Sequence, residues 1–214
     1  MSTVVSNPEV LTIHWPTVIR HVRLSRGLKQ ASLAQDLGVT QTMVSRWEAG
    51  NARPSARIRT QIFDMIWTLT SSLARRTWME RARRNPSSVA VINSTGLVEL
   101  ASRGLLRSLK TVRGQIEGRN LRQAFRGDIP KRFGSLVDRG FFQGKIATVE
   151  SIERVVFTDF DGHDTPFWQH SLHRPLFVAN QRICWLISGA SVSRPVWQDV
   201  RQRLGSAMVV RKAI

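Results

Sequence analysis

The segment from Leu28 to Pro54 constrains the fold more than any other part of the chain, because its apolar residues recur at helical spacing on both sides of a glycine. Those apolar residues are Leu28, Ala31, Leu33, Ala34, Leu37, Val39, Val44 and Trp47. Gly38 is predicted to end a first helix, and the hydroxyl of Thr40 is predicted to cap a second one. The segment therefore predicts two short helices joined by a tight turn.

This arrangement is a helix-turn-helix, and its residues resemble the lambdoid-repressor and Cro type, also called the XRE family. The resemblance spans roughly Trp15 to Ile66. It rests on many residues at fixed spacing, namely Arg23, Gly27, Leu28, Gln30, Leu33, Ala34, Gly38, Val39, Thr40, Gln41, Val44, Trp47, Glu48, Gly50 and Pro54. It implies sequence-specific binding of an operator in double-stranded DNA.

The resemblance also implies roles for individual side chains. Gln41, Thr42 and Arg46 are expected to contact base edges, because glutamine suits adenine and arginine suits guanine in the major groove. Phosphate contacts are expected from Lys29, Gln30, Thr40, Ser45 and Arg53. Arg23 and Glu48 correspond to a partly buried ion pair that joins the first helix to the end of the recognition helix. The alternative is that these polar residues form an ordinary solvated helix face.

The charge balance favours a polyanionic partner. The chain has 32 Lys and Arg residues against 15 Asp and Glu residues, a net charge of +17 and a pI near 11.8. The excess of basic residues is not confined to the helix-turn-helix. Residues 1–84 contain 13 basic and 5 acidic residues, and the rest of the chain contains 19 basic and 10 acidic residues. Either the second half also contacts nucleic acid, or its arginines keep the protein soluble.

The cysteine content, the N-terminus and the lengths of the apolar runs bear on the compartment of the protein and on membrane association. The single Cys184 excludes an intrachain disulfide and is typical of a reducing environment. The first fifteen residues lack the basic and apolar regions of a signal peptide, and no run approaches the ~20 apolar residues that span a bilayer. We therefore expect a cytoplasmic protein that does not contact a membrane.

Five segments are predicted along the chain. Residues 1–14 form a flexible N-terminal arm, residues 15–66 the helix-turn-helix domain, and residues 67–86 a linking or dimerisation helix. Residues 87–192 form a second domain, and residues 193–214 form a C-terminal helix followed by a frayed tail. The seam Ile62, Ile66, Leu69 and Leu73 has spacings of four, three and four, which permit self-pairing. A homodimer is therefore expected, with packing inside one chain as the alternative.

From Ser87 the pattern predicts strands. A hairpin is expected at 89–100, and three strands are expected at 145–157, 167–178 and 182–188. Between them, short helices interrupted by glycines are expected at 102–109, near 120–125 and at 129–137. This order resembles a PAS domain, as do the runs AVINSTGLV at 90–98, EGRNL at 117–121 and WLISG at 185–189. The predicted fold class is α+β, with an all-α domain followed by a PAS-like antiparallel sheet and short helices.

The PAS resemblance implies a one-sided sheet closed by the short helices, with room for a small ligand or a protein partner. The candidate pocket residues are Arg119, Phe125, Phe157, Phe167, His170, His173 and Trp185. No cofactor is predicted, although a small-molecule effector is an open alternative. Haem with His170 or His173 as axial ligand is a lesser one. No metal site is predicted, because residues 170 and 173 of a strand face opposite sides.

The remaining chemistry points away from catalysis. Asp159, Asp161 and Asp164 are interpreted as turn formers, and no phosphate-binding loop or nucleophile elbow is found. We expect a dimeric DNA-binding transcriptional regulator, not an enzyme, whose PAS-like domain senses a small ligand or mediates dimerisation. Two alternatives stay open: an antitoxin or phage-immunity repressor whose second domain binds a protein, and an enzyme domain tethered to DNA.

Overall fold

The computed structural model describes residues 13–66, 72–178, 182–203 and 208–212. The helical part consists of α1 (Trp15–Ser25), α2 (Gln30–Leu37), α3 (Gln41–Glu48), α4 (Ala56–Ile66) and α5 (Ser72–Arg84). The sheet part consists of β1 (Ser88–Ile92), β2 (Val98–Ala101), α6 (Arg103–Ser108), α7 (Leu121–Ala124), β3 (Phe125–Gly127), α8 (Asp128–Asp138), β4 (Ile146–Thr158), β5 (Asp164–Val178), β6 (Arg182–Val192), α9 (Arg194–Arg203) and β7 (Met208–Lys212). The predicted α+β class is confirmed.

Helices α1 to α4 pack around one apolar core, and the turn between α2 and α3 has the predicted chemistry. Gly38 adopts φ +65°, the left-handed conformation that glycine accepts without steric cost. The hydroxyl of Thr40 accepts a hydrogen bond from the backbone N–H of Met43 at 3.3 Å. The core beneath this turn contains Val18, Ile19, Leu33, Leu37, Val44, Trp47 and Ile62. Sequence spacing thus predicts both caps and most of the buried face, but Ala31 is exposed, because it lies on the side of α2 turned away from Leu33, Ala34 and Leu37.

The strands form a single antiparallel sheet in the order β2-β1-β6-β5-β4-β3, with β7 also paired to β4. The first hairpin therefore lies beside the last long strand, β6. One face of the sheet is closed by the short helices and carries a core that includes Leu136, Phe157 and Trp185. On the other face, Trp78 and Met79 of α5 pack against residues that include Val91. This is the one-sided, PAS-like arrangement that the sequence predicts.

The chain ends differ from the sequence expectation. Residues 1–12 of the predicted arm lie outside the described residues, but Ile13 is buried in the helical core, and the N–H of His14 donates to the carbonyl of Gln143 at 2.7 Å. The flexible arm therefore does not extend to residue 14. In place of a wholly frayed tail, residues 208–212 pair with residues 146–151 of β4. The reason is that β3 pairs only with residues 155–157, which leaves the first half of the same side of β4 open to β7.

The linking helix is described only in part. Helix α5 accounts for residues 72–84 of the predicted 67–86, and residues 67–71 lie outside the described residues, Leu69 of the seam among them. Ile62 is buried in the helical core, and Ile66 packs against it. Both of these seam residues are therefore used inside one chain. Among the helices that are described, none has the length and apolar character needed to cross a membrane.

Candidate nucleic-acid interface and sheet interior

Helix α3 has a polar face that is fully accessible. Gln41, Thr42, Ser45 and Arg46 are exposed, whereas Val44 and Trp47 are buried in the helical core. Positions 41, 42, 45 and 46 are separated by one and four residues, so they share one side of the helix. The structure therefore brings the three predicted base-contacting residues together on a single reading face.

Behind this face, a carboxylate ties three helices together. Nε of Arg23 donates to Oε1 of Glu48 at 2.6 Å, and Nη2 donates to Oε2 at 3.0 Å. Gln30 Nε2 donates to the same Oε2 at 3.0 Å, and Arg23 Nη1 donates to the carbonyl of Leu28 at 3.3 Å. These contacts hold α1, the start of α2 and the end of α3 in one geometry. We call this set the Glu48 clamp.

The clamp shifts the ionisation of both partners. Burial on its own raises the pKa of Glu48, but the hydrogen bonds from Arg23 and Gln30, with the charges of Arg23 and Arg20, lower that pKa overall. The hydrogen bond to Glu48 raises the pKa of Arg23, against the opposing effect of burial. Both groups are therefore charged at neutral pH, and the expected ion pair is formed.

The residues expected to contact phosphates are all at least partly accessible. Lys29, Thr40, Ser45 and Arg53 are exposed, and Gln30 is half-buried at the start of α2. The amide of Gln30 carries two hydrogens, and the clamp uses one of them. One N–H of Gln30 is thus left to donate to a phosphate oxygen.

Residues 19–58 match the sequence model of a family described as helix-turn-helix. The chain carries an XRE-type helix-turn-helix domain. The matched region contains α2, α3 and the Glu48 clamp, and the domain is of a DNA-binding type. No curated protein matches the chain.

Solved structures similar to this chain include PAS and LOV domains. They include the PAS domain of nitrogen regulation protein NR(II) from Vibrio parahaemolyticus, with 11% identity over 53% of this chain and 96% of that chain and a TM-score of 0.39. The Rhodobacter sphaeroides LOV protein has 18% identity over 58% and 70%, with a TM-score of 0.44. The dark structure of the blue-light photoreceptor Aureochrome1 LOV has 16% identity over 63% and 93%, with a TM-score of 0.41.

The interior of the sheet contains a buried polar network that the sequence does not predict. Nε of Arg132 donates to Oε1 of Glu153 at 3.1 Å, and the hydroxyl of Ser171 donates to Oε2 at 3.0 Å. Gln169 Nε2 donates to Ser171 at 2.7 Å, and the hydroxyl of Ser88 donates to Gln169 Oε1 at 3.0 Å. These side chains come from α8, β4, β5 and β1 and are all buried. We call them, with Ser151 and His173, the interior network.

His173 closes the network on its other side, and both of its ring nitrogens have partners. The indole N–H of Trp185 donates to Nδ1 of His173 at 3.0 Å. Nε2 lies 2.6 Å from the hydroxyl of Ser151 and 3.4 Å from Oε1 of Glu153. His173 of β5 therefore connects β4 and β6.

Glu153 is ionised in spite of its complete burial. Burial raises its pKa, but His173, Arg132 and Ser151 outweigh that effect and lower the pKa of Glu153 to about 2. A buried carboxylate of this kind is stable only while its partners stay in place. The network therefore stabilises the folded interior, and the carboxylate of Glu153 is engaged by its partners and not available to a ligand.

The aromatic residues largely fill the interior. A cavity of about 30 Å³ remains, lined by Ser88, Gln169 and apolar residues of the inner face that include Phe125 and Phe167. This is far below the ~300–1,000 Å³ of typical ligand pockets. Phe157 lies beside Phe125 with ring centroids 5.8 Å apart, and Trp185 is fully buried. In this conformation the cavity has room only for a water molecule or a very small ligand.

Two residues of the predicted pocket lie elsewhere. His170 is exposed on the outer face, bonded to Glu150 at 2.9 Å, because neighbouring strand positions alternate between the two faces. Arg119 lies at the sheet margin, where Nη1 donates to the carbonyl of Thr158 at 2.9 Å and the guanidinium covers the ring of Phe160. Neither residue lines the pocket, whereas the other five lie in the interior.

The acidic turn after β4 contains the group Asp159, Asp161 and His163, whose ligand atoms lie within 4.8 Å of one another. Asp159 accepts from the backbone N–H of His163 at 2.8 Å, as a turn-forming side chain does. That hydrogen bond lowers the pKa of Asp159. The group is exposed apart from Asp159, and its contacts are those of a turn.

Proposed function

We propose that this chain is a sequence-specific transcriptional regulator that binds operator DNA as a homodimer through the reading face of α3. The observation that carries the proposal is the exposure of Gln41, Thr42 and Arg46 on a helix held from behind by the Glu48 clamp. A homodimer follows because one recognition helix reads too few base pairs, so two readers about 34 Å apart are needed.

The electrostatics of the domain support this proposal. Between residues 13 and 66 there are eight Lys and Arg residues against three Asp and Glu residues, and one of the three, Glu48, is neutralised by Arg23. The exposed Lys29 and Arg53 flank the reading face in sequence and supply charge for phosphates. Base contacts then give specificity, and phosphate contacts give position.

The test compares variants of the reading face with a variant outside it. Gln41→Ala, Thr42→Ala and Arg46→Ala are each expected to weaken binding to a selected operator by about 1–3 kcal/mol, while binding to random duplex changes less. Gln35→Ala, on the exposed side of α2, serves as the control and is expected to leave both affinities unchanged. If all three variants keep the wild-type ratio of operator to random-duplex affinity, the assignment of α3 as reader is wrong.

For the sheet domain, we propose dimerisation as its main role, with sensing limited to a ligand small enough for the 30 Å³ cavity. A haem or a flavin does not fit the interior without displacement of its aromatic side chains. His173 offers no unoccupied ring nitrogen, because Trp185 donates to Nδ1 and Nε2 faces Ser151 and Glu153. Sedimentation that shows a monomer at micromolar concentration, both free and on operator, would contradict the dimeric form.

Two other functions use the same DNA reader. In the first, the sheet domain binds a protein, as in an antitoxin or phage-immunity repressor. In the second, it is an enzyme domain tethered to DNA. A protein that co-purifies in stoichiometric amount favours the first, and turnover of a substrate favours the second.

A further inference from the structure

The helix-turn-helix domain and the sheet domain share one hydrophobic core. Phe177 of β5 and Ile183 of β6 are each 4% exposed, and they are buried among residues of α1 and α4 and not among the sheet's own residues. These two residues are direct cross-strand partners. The end of the β5–β6 pair therefore presents a compact apolar contact to the DNA reader.

The contact is built from ordered aromatic packing. The ring of Phe177 meets that of Phe63 edge to face, with centroids 5.8 Å apart and an interplanar angle of 70°. It also stacks against His21 at 6.5 Å and 26°. Phe63 in turn meets Trp15 edge to face at 5.6 Å. Such pairs add about 0.5–1.5 kcal/mol beyond the area they bury. Phe177 thus joins α1 and α4 at one point.

A second strip of contact lies beside the first. The backbone N–H of His14 donates to the carbonyl of Gln143, and the next residue, Gly144, adopts φ +79°. A Cβ atom at Gly144 would lie 2.7 Å from Cγ2 of Val18, closer than real contacts allow. The absence of a side chain at Gly144 therefore lets α1 approach the sheet domain closely.

We propose that the β5–β6 end and the loop at Gly144 are a docking surface for α1 and α4, and that Phe177 is the residue that positions the DNA reader on the sheet domain. The inference rests on the proposed function. The reading face is exposed while the reader is docked, so docking is compatible with DNA binding. In a dimer, docked readers have a fixed separation, and the protein therefore discriminates between operators by half-site spacing.

The first experiment measures amide hydrogen exchange in the full chain. Phe177→Ala is compared with Leu176→Ala, a matched control from the adjacent position. Leu176 is as buried as Phe177, with 3% of its surface exposed, but it packs on the opposite face of the sheet with α5. We expect Phe177→Ala to accelerate exchange in α1 and α4 about tenfold relative to β4, and Leu176→Ala not to do so. The milder Phe177→Leu and Ile183→Val variants serve if Phe177→Ala does not fold. Equal effects of the changes at 176 and 177 on α1 and α4 would overturn the docking.

The second experiment measures spacing preference. A duplex selected by the wild type is compared with a version that has two extra base pairs between its half-sites. We expect wild type to prefer the original by a factor of about ten or more, and Phe177→Ala to lose most of that preference while Phe177→Leu retains part of it. A Phe177→Ala protein with the wild-type preference would overturn the positioning role. If wild type selects no duplex, the proposed function fails, and the exchange result still decides whether the docking exists.

Discussion

The helix-turn-helix domain and the sheet interior are each organised around an arginine and a glutamate, and they use the pair differently. In the Glu48 clamp, the side chain of Arg23 is 16% exposed and that of Glu48 is 3% exposed, so the pair lies just beneath a solvated surface. In the interior network, Arg132 is 9% exposed and Glu153 is completely buried. The clamp orients a helix whose outer face is exposed, whereas the network is enclosed in the sheet domain and reaches the small cavity only through Ser88 and Gln169.

The difference shows that an arginine–glutamate pair can either orient an exposed helix or stabilise a buried interior. The bidentate clamp has fixed geometry, and it holds α3 without using any reading-face residue. The network must satisfy every polar atom it buries, so it recruits Ser171, Gln169 and Ser88 in a chain that reaches the wall of the small cavity. The following variants test how far this contrast holds.

The largest effect is expected from breaking the buried pair. Arg132→Met removes the cation but leaves Glu153 buried, and losing one partner of such a pair costs about 3–5 kcal/mol of the free energy of unfolding. Arg154→Met is the control, because Arg154 follows Glu153 in β4 but is exposed on the opposite face of that strand. Urea unfolding of both variants gives the comparison. A loss below about 1 kcal/mol for Arg132→Met would show that water or other groups compensate Glu153.

The next effect is a pH dependence from Glu153. Its folded-state pKa of about 2 lies below the ordinary value of 4.5, so the folded state favours the ionised form. The associated stability, about 3 kcal/mol, is present above pH 4.5 and is lost as the pH falls toward 2. Unfolding free energies measured between pH 6 and 2.5 should therefore fall more steeply for wild type than for Glu153→Gln. Parallel curves for the two proteins would refute the assignment.

The contrast between the regions also explains what the sequence can predict. The clamp and the reading face come from one continuous segment that carries the family resemblance, and that resemblance implies the ion pair of Arg23 and Glu48, which the structure contains. The five long or hairpin strands are predicted to within a few residues, because their apolar runs are bounded by turn residues. Strands β3 and β7 are not predicted, since they are short and depend on the open edge of β4.

The interior network cannot be placed from the sequence, because its members lie on four elements and meet only through sheet register. One signal is present: Ser151 and Glu153 occupy the same alternating face of β4 as Val149 and Val155, so two polar residues interrupt an inward apolar row. The sequence also does not distinguish aromatic residues that line an open pocket from aromatic residues that fill the interior, because that depends on how the side chains pack in three dimensions.

A smaller effect is expected at the clamp. Arg23→Met leaves Glu48 with Gln30 as a hydrogen-bond donor and with the charge of Arg20, whose Nε lies 3.9 Å away, so we expect a loss of about 1–3 kcal/mol in unfolding free energy. Operator affinity should fall together with stability, because α3 loses its orientation. Arg57→Met, an exposed change on α4, is the control for loss of charge alone. A variant with wild-type stability but weakened operator binding would instead make Arg23 a direct phosphate contact.

The smallest effect concerns two histidine–glutamate pairs that differ mainly in burial. His170 and Glu150 lie on the outer face of β5 and β4, with side chains 46% and 38% exposed, whereas His173 and Glu153 lie three residues further along each strand with no exposure. Glu150→Gln is expected to change the unfolding free energy by about 0–1 kcal/mol, because solvent screens the outer pair and already hydrates both groups. Glu153→Gln should cost several times more, because the same change leaves Arg132 buried without a counter-charge. A chemical-denaturation series on both variants at pH 7 measures the ratio. If the two glutamine variants are equally stable, burial does not make the inner pair more important for stability than the outer one. The energetic contrast between the filled interior and the exposed reading face is then wrong.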